Sequence, residues 1–364
     1  MPRTFVIAKP NAPPSIVVGE RYFVVKVLDS YVFFARKPRR QLVVHTDVAF
    51  HRKTGRASVE TFTSLHRQII ANPKGGCRPL TDATVVDSVP AVMDRIAVST
   101  RFTLVRSSDI AGWEKVIRTG ALVATATFVP HLLPVAKAAS DLADRVAGSI
   151  FRGPTVTPFQ PTCDKNLGAG ELTDAYYVYM HTGKAAIRAD GLSIEDGTLH
   201  WKGSPIVDDS YVVFEVKSFL ERGRVLGEGQ PWYNLLYWAE EDAKGAASGS
   251  ASTRAAARAR YQATIDAVKR VFQDDESFLQ QERDLIIQES ALKTLPLFDG
   301  PDGPSGARRR RGPEPAPSSG SAILPRLTSE MKRVLEVKSE GELRRNVEGY
   351  QAALAESAKI LAAE

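Results

Sequence analysis

The chain has 364 residues, 43% hydrophobic and 25% charged, so it is long enough for two or three domains with sizeable apolar cores. Its only cysteines, Cys77 and Cys163, exclude a disulfide scaffold and a cysteine-based zinc site, and they favour a reducing, cytoplasmic setting. The net charge of +6 is uneven, because residues 1–120 carry 19 lysines and arginines against 9 acidic residues.

Strand-like segments dominate the first third of the chain, where β-branched and aromatic residues are punctuated by turn-forming residues. We therefore predict a basic β-rich domain over residues 1–120 and a helical connector over 121–152. A second β-rich region is predicted over 153–222. Within it, Asp196-Gly197 lies between two alternating runs and predicts a hairpin.

Helical periodicity takes over in the last third. The pattern predicts helices over 231–297, a Gly/Pro/Ser-rich disordered linker over 298–325, and an amphipathic tail helix over 326–364. Because a linker precedes the tail helix, we expect it to be a tethered arm used in docking or self-association. The longest uncharged run, residues 121–136, is interrupted by prolines and is too short to span a bilayer.

Two segments of the chain resemble one another. VLDSYVFFARK, from Val27, and VDDSYVVFEVK, from Val207, share six residue types at an offset of 180 positions. This similarity predicts one strand type used twice, or two related β units. Together with the alternating strands it favours an α+β protein with antiparallel β-sandwich-like regions, a helical C-terminal part and a tethered tail helix.

Basic residues are concentrated between positions 21 and 56, where nine of them face only two acidic residues. Such a concentration predicts binding to polyanions, either nucleic acid or an anionic membrane surface. The alternative is a solvated face without a partner. The candidate polyanion-binding residues are Arg21, Lys26, Arg36, Lys37, Arg39, Arg40, Arg52, Lys53 and Arg56.

The stretch YVVFEVKSF places Glu215 and Lys217 on one face of a strand. Metal-dependent nucleases present an E-x-K half-site in this way, and they need further carboxylates around Mg²⁺. The available acids nearby in sequence are Asp196, Asp208 and Asp209. The default interpretation is different: two charges on the exposed face of a strand, with no catalytic residue, no metal and no cofactor.

Two family resemblances bear on these segments. LHWKGSPIVDDSYVVFEVK resembles the half-site of toxin-type restriction-endonuclease-fold nucleases, which implies Mg²⁺, catalytic roles for Glu215 and Lys217, and a following helix near Gln230. LSIEDGTLHWKGSPIVDDSYVVFEV, with the alternating strands elsewhere, resembles bacterial C2-like β-sandwich domains. That resemblance implies docking on an anionic surface through basic strands.

Three functions follow from the sequence. The favoured one is a non-enzymatic β-sandwich adaptor, cytoplasmic or peripheral at a membrane, which docks on anionic lipid or a protein partner and assembles through its C-terminal helices. The second is a metal-dependent nuclease centred on Glu215 and Lys217. The third is a coat or packaging protein that binds nucleic acid without cleaving it.

Overall fold

The structure is a computed structural model, and it describes most of the chain. The described residues are 2–9, 16, 18–34, 41–54, 57–70, 76–93, 95–105, 156–159, 161–166, 171–182, 187–223, 227–274, 278–299 and 327–362. They fall into two compact units, a β unit over Met1–Phe219 and a helical unit over Leu220–Glu364.

The β unit consists of antiparallel strands whose sequences are rich in β-branched and aromatic residues. The strands are β1 (Pro2–Ala8), β2 (Tyr22–Tyr31), β3 (Gln41–Thr54), β4 (Ala57–Ile70), β5 (Thr81–Pro90), β6 (Arg95–Val105), β7 (Val156–Phe159), β8 (Thr162–Asn166), β9 (Ala175–His181), β10 (Leu192–Glu195), β11 (Thr198–Trp201), β12 (Ser204–Pro205) and β13 (Ser210–Phe219).

Two larger sheets supply the core of the β unit. One has the order β1-β9-β13-β2-β5, and the other has the order β4-β3-β6-β7, with β8 also paired to β6. Side chains from both sheets meet in one apolar cluster, which includes Phe23, Val44, Phe102 and Phe214. The antiparallel, sandwich-like part of the predicted fold class is thus confirmed, as are the helices that follow it.

Strands from both predicted β-rich regions share the same sheets. Strands β9 and β13, from the second region, lie between β1 and β2, from the first. The division at residues 120 and 153 therefore does not separate two sheets. The predicted helical connector, 121–152, lies outside the described residues.

The strand β13 is buried on both of its faces, which explains its nearly continuous apolar sequence. Val212, Phe214 and Val216 face the cluster between the two sheets. On the outer face, Tyr211 and Val213 pack into a second cluster beneath the β10–β12 hairpins. An outer face that is covered leaves no solvated side for the charged residues of this strand.

The β10–β12 sheet is built from two consecutive tight turns. Asp196 and Gly197 have φ angles of 48° and 70°, and Lys202 and Gly203 have φ angles of 51° and 76°. Positive φ at both central residues is the requirement of a type I′ turn, which matches the twist of antiparallel strands. The hairpin predicted at Asp196-Gly197 is confirmed.

The two similar segments are neighbours in one sheet and do not form repeated units. In the antiparallel pair of β2 with β13, Tyr31 lies opposite Tyr211, and their rings stack at 6.0 Å. The first segment ends its strand while the second begins one. Asp29 from the first accepts hydrogen bonds from the Tyr211 hydroxyl, at 2.6 Å, and from the Leu199 backbone amide, at 3.2 Å. The shared residues therefore serve a structural contact between the segments.

The helical unit follows, with helices whose apolar stripes face a common core. Its helices are α1 (Pro231–Ala246), α2 (Ala251–Asp274), α3 (Gln280–Thr294), α4 (Pro296–Asp299), α5 (Ser329–Leu335) and α6 (Glu340–Ala362). At the centre of the core, the Trp232 ring stacks on Phe272 at 4.4 Å and meets Phe278 edge-on at 5.4 Å.

The expectation of a tethered tail helix was wrong, because α5 and α6 belong to this core. Leu335, Leu343, Val347 and Tyr350, the stripe that suggested a docking arm, are all buried in it. Burial of this stripe removes the observation on which self-association through the tail rested. The predicted linker begins in α4, with Phe298 and Asp299, and its remaining residues lie outside the described part.

Candidate functional site

A group of charged side chains lies on the outer face of the first sheet, around Glu215 in the middle of β13. Glu215 is only 6% exposed. Its Oε1 atom lies 2.7 Å from the ammonium of Lys9 and 3.7 Å from that of Lys217. The default interpretation of these charges as an exposed strand face was therefore wrong. We call Lys9, Asp174, Glu215 and Lys217 the E-x-K cluster.

Asp174 is the acid that sequence reasoning missed. Strand β9 pairs with β13 so that Tyr176 lies opposite Glu215. Asp174, two residues before Tyr176, is therefore next to Lys217, and residues in such a diagonal relation to Glu215 are about 7–8 Å apart. The backbone amide of Ser218 donates to Asp174 Oδ2 at 3.0 Å. Asp174 Oδ1 is buried and has no hydrogen-bond partner among the described residues.

Burial and charge act against each other in the E-x-K cluster. Burial lowers the pKa of Lys9, while the hydrogen bond to Glu215 raises it. Burial raises the pKa of Asp174, whereas the hydrogen bonds of Ser218 and the positive charges of Lys9 and Arg21 lower it. Partly desolvated groups whose pKa values are perturbed by specific charged partners are typical of functional sites.

The three acids proposed from sequence to complete the half-site are not brought to Glu215. Asp196 is exposed in a hairpin turn, and Asp208 is exposed before β13. Asp209 is buried and accepts a hydrogen bond from the Thr182 hydroxyl at 3.0 Å. Six residues of extended strand separate Asp209 from Glu215, which is about 20 Å at 3.4 Å per residue. The prediction that these three acids complete a metal site with Glu215 was therefore wrong.

The candidate polyanion-binding residues are placed only in part. Arg21 donates to the Ser218 hydroxyl at 2.9 Å. Lys26 is only 7% exposed and lies 3.6 Å from an Asp82 carboxylate oxygen, so it was wrongly assigned to a surface patch. Arg52 and Lys53 lie in β3, with side chains outside the description. The remaining candidates, Arg36, Lys37, Arg39, Arg40 and Arg56, lie outside the described residues.

An open groove of about 580 Å³ lies along the β10–β12 hairpins. Arg188 and Lys202 contribute exposed cationic side chains to it against one exposed carboxylate, that of Asp190, and half-buried Trp201 forms part of its wall. The Lys202 ammonium lies 5.4 Å from the Trp201 ring centroid. Gly191 lets the tryptophan pack closely, because a Cβ atom there would lie 2.2 Å from its ring. Cations beside an aromatic wall suit an anionic ligand.

A second group of acids is buried in the helical unit. Glu282, on α3, accepts hydrogen bonds at Oε1 from the backbone amides of Arg222 (2.9 Å) and Gly223 (2.7 Å) and from the Tyr350 hydroxyl (3.1 Å). Burial and the nearby charge of Glu282 raise the pKa of Glu221 to about 8. The Glu282 contacts tie three segments of the unit together, which is a structural role.

The described ranges contain no cluster of three or more histidine, cysteine, aspartate or glutamate side chains that could hold a metal ion. Mg²⁺ does not require one, since it is commonly held by one or two carboxylates and completes its shell with water. None of the helices described here is both long and apolar enough to cross a membrane.

Comparisons with known proteins give no relatives. The chain matches no known protein family, and neither a curated protein nor a solved structure shows significant similarity to it.

Proposed function

We propose that this protein is a metal-dependent nuclease whose site is formed by Asp174, Glu215 and Lys217. One observation carries the proposal: the pairing of β9 with β13 brings a second carboxylate beside the E-x-K half-site, and one oxygen of that carboxylate is buried without a partner. A buried polar atom without a hydrogen-bond partner is costly, but among the described residues Asp29 and Glu282 each have such an oxygen too, so the support for a ligand comes from the position of this one beside the half-site.

The cluster suits Mg²⁺ by the chemistry of its donors. Carboxylate oxygens of Asp174 and Glu215 are the hard ligands that this ion prefers. When bound there, Mg²⁺ would polarise a phosphoryl oxygen and activate water. The Lys217 ammonium, 3.7 Å from Glu215, would stabilise negative charge that develops on the phosphoryl oxygens.

The test is cleavage of plasmid DNA, linear DNA and RNA with Mg²⁺ or Mn²⁺ and, separately, with chelator. Asp174→Asn, Glu215→Gln and Lys217→Met should each lower the rate by about a hundredfold or more, the usual effect of removing a central electrostatic contact. Asp196→Asn, an exposed acid of the same unit, is the matched control and should retain full activity. Absence of metal-dependent cleavage by the wild type would refute the proposal, as would full activity of Glu215→Gln. Binding of nucleic acid without cleavage would instead support a packaging role.

A second proposal keeps the adaptor function, and the groove at the β10–β12 hairpins favours it. There Arg188 and Lys202 would dock on the phosphate groups of an anionic lipid surface, at the cytoplasmic periphery of a membrane. Assembly of such an adaptor would use α1, whose Tyr237 and Trp238 side chains are 44% and 68% exposed. Aromatic side chains of this kind are enriched in interaction surfaces.

Flotation with vesicles that contain anionic lipid tests the adaptor proposal. Binding should fall steeply with salt and be lost in Arg188→Glu/Lys202→Glu. Lys244→Glu/Lys293→Glu makes the same change in net charge on exposed sites of the helical unit and should bind like the wild type. Equal binding by the two double variants would exclude the groove as the docking site.

A further inference from the structure

Lys9 makes a set of contacts that a bound cation would make. Its ammonium lies 2.7 Å from Glu215 Oε1 and 3.1 Å from the backbone carbonyl oxygen of Val216. It also lies 4.9 Å from the centroid of the Tyr176 ring. A carboxylate, a main-chain carbonyl and an aromatic face converge on one point, and all three attract positive charge.

Lys9 reaches this point from outside the E-x-K half-site. It directly follows β1, which is the edge strand of its sheet and pairs with β9. The side chain of Lys9 is 15% exposed, whereas the side chain of Glu215 is 8% exposed. A lysine side chain has four rotatable methylene groups, so the ammonium can leave by rotation about its own bonds while the strand remains paired.

We propose that the Lys9 ammonium occupies the cation position of the E-x-K cluster and competes with a divalent metal ion for it. This inference rests on the proposed metal site and adds a competitor that regulates metal binding there. An ammonium and a divalent ion cannot occupy the same position beside Glu215, and their positive charges repel each other. The apparent metal affinity is therefore reduced by the fraction of molecules in which Lys9 is docked.

Contacts other than those of Lys9 also hold these acids. The ammonium of Lys217 lies 3.7 Å from Glu215, and the Ser218 amide donates to Asp174, and neither contact depends on Lys9. Glu215 would thus keep a cationic partner after Lys9 leaves, which offsets the cost of its burial in both states. The docked state would hold the acids together before metal enters, as an internal substitute for the ion.

Binding of Mn²⁺ to the full chain, measured by calorimetry and by the loss of the free-ion paramagnetic resonance signal, tests the inference. Lys9→Met should bind Mn²⁺ at least about tenfold more tightly than the wild type, because the docked competitor is gone. Lys9→Arg keeps a cation at this position and should stay within about threefold of the wild type. Lys9→Met/Glu215→Gln should lose the gain, which would locate the ion in the cluster.

Unchanged Mn²⁺ affinity in Lys9→Met, or the same gain in Lys9→Arg, would overturn the inference. Near-ultraviolet circular dichroism in chelator establishes that each variant is folded, and Lys9→Gln replaces Lys9→Met if the latter is not. Failure of the nuclease proposal gives a different result: tighter Mn²⁺ binding by Lys9→Met with no cleavage by any variant. Conversely, cleavage that depends on Glu215, with Mn²⁺ affinity insensitive to Lys9, would retain the nuclease and reject the competition.

Discussion

Buried glutamates in the two units differ in the contacts that the described residues make with them. Glu282 in the helical unit accepts from two backbone amides and a tyrosine hydroxyl, and none of these donors carries a charge. Glu215 in the β unit is held by the ammonium groups of Lys9 and Lys217, at the ends of long side chains. Amides that are fixed by the backbone cannot leave, whereas ammonium groups can be exchanged for another cation. We infer that Glu282 serves the fold and Glu215 serves a ligand.

The largest effect should come from Glu282→Ala. It leaves three donors without an acceptor, two of them buried, and a buried donor costs about 1–3 kcal/mol, so we expect a loss of about 4 kcal/mol in unfolding free energy. Urea unfolding followed by tryptophan fluorescence measures this loss. Glu241→Ala, on the exposed side of α1, is the control and should change stability by less than about 0.5 kcal/mol. A similar loss in both variants would contradict a structural role for Glu282.

Asp29→Ala tests the effect of removing a buried hydrogen-bond acceptor inside the β unit. The substitution leaves the Tyr211 hydroxyl and the Leu199 amide without their shared acceptor, and we expect a loss of about 3 kcal/mol. Thermal unfolding measures it. Metal-dependent cleavage per folded molecule should be unchanged, because Asp29 lies outside the E-x-K cluster. Loss of cleavage at full stability would place Asp29 in the site instead.

The stability of the helical unit should depend on pH through Glu221, a second buried glutamate, which lies near Glu282. The pKa of Glu221 is raised from 4.5 to about 8 in the folded chain, so the unfolded chain releases this proton first as pH rises. The contribution of Glu221 to stability is therefore fully present below pH 4.5, is lost between pH 4.5 and about 8, and stays lost above.

Glu221→Gln should remove this dependence and be more stable than the wild type at pH 9, by about 2 kcal/mol. The shift from 4.5 to about 8, converted at about 1.4 kcal/mol per pH unit, would give about 5 kcal/mol, and local relaxation and water entry reduce that penalty. Chemical unfolding at pH 4, 7 and 9 measures the difference. Parallel curves for variant and wild type would show that Glu221 titrates normally.

The smallest loss of stability should come from Glu215→Gln. The amide oxygen can still accept from Lys9, so we expect a cost of about 1 kcal/mol in thermal unfolding with chelator present. The notable change is in the response to metal: Mn²⁺ should raise the melting temperature of the wild type but not of this variant. A loss as large as that of Glu282→Ala would remove the distinction between the two glutamates.

Local signals in the sequence were reliable. The Asp196-Gly197 dipeptide predicted a turn that needs positive φ at both positions, and β-branched runs predicted strands. The half-site was visible because Glu215 and Lys217 are two positions apart in one strand. Asp174 was not, because 41 residues separate it from Glu215 and only the pairing of β9 with β13 brings them together. Lys9 is more distant still.

Errors arose where exposure had to be guessed. A charged pair in a strand suggested a solvent-exposed face. Burial of Lys26 and Glu215 shows instead that this face of the sheet is covered. In the tail, the stripe through Leu343 and Tyr350 was correctly identified as apolar and helical. Periodicity shows which face of a helix seeks an apolar neighbour, but it does not show whether that neighbour belongs to the same unit.

The order of strands in the first sheet has a consequence for how the chain folds while it is being synthesised. Strand β1 pairs with β9 and β2 pairs with β13, so these contacts join residues separated by roughly 170 to 200 positions. At ribosomal rates of about 5–20 residues per second, β2 waits about 10–40 s for its partner. During that time the edge of β2 that pairs with β13 is open to incorrect pairing. Such high contact order predicts slow folding and a requirement for chaperones during expression, in contrast to the locally connected helices that follow.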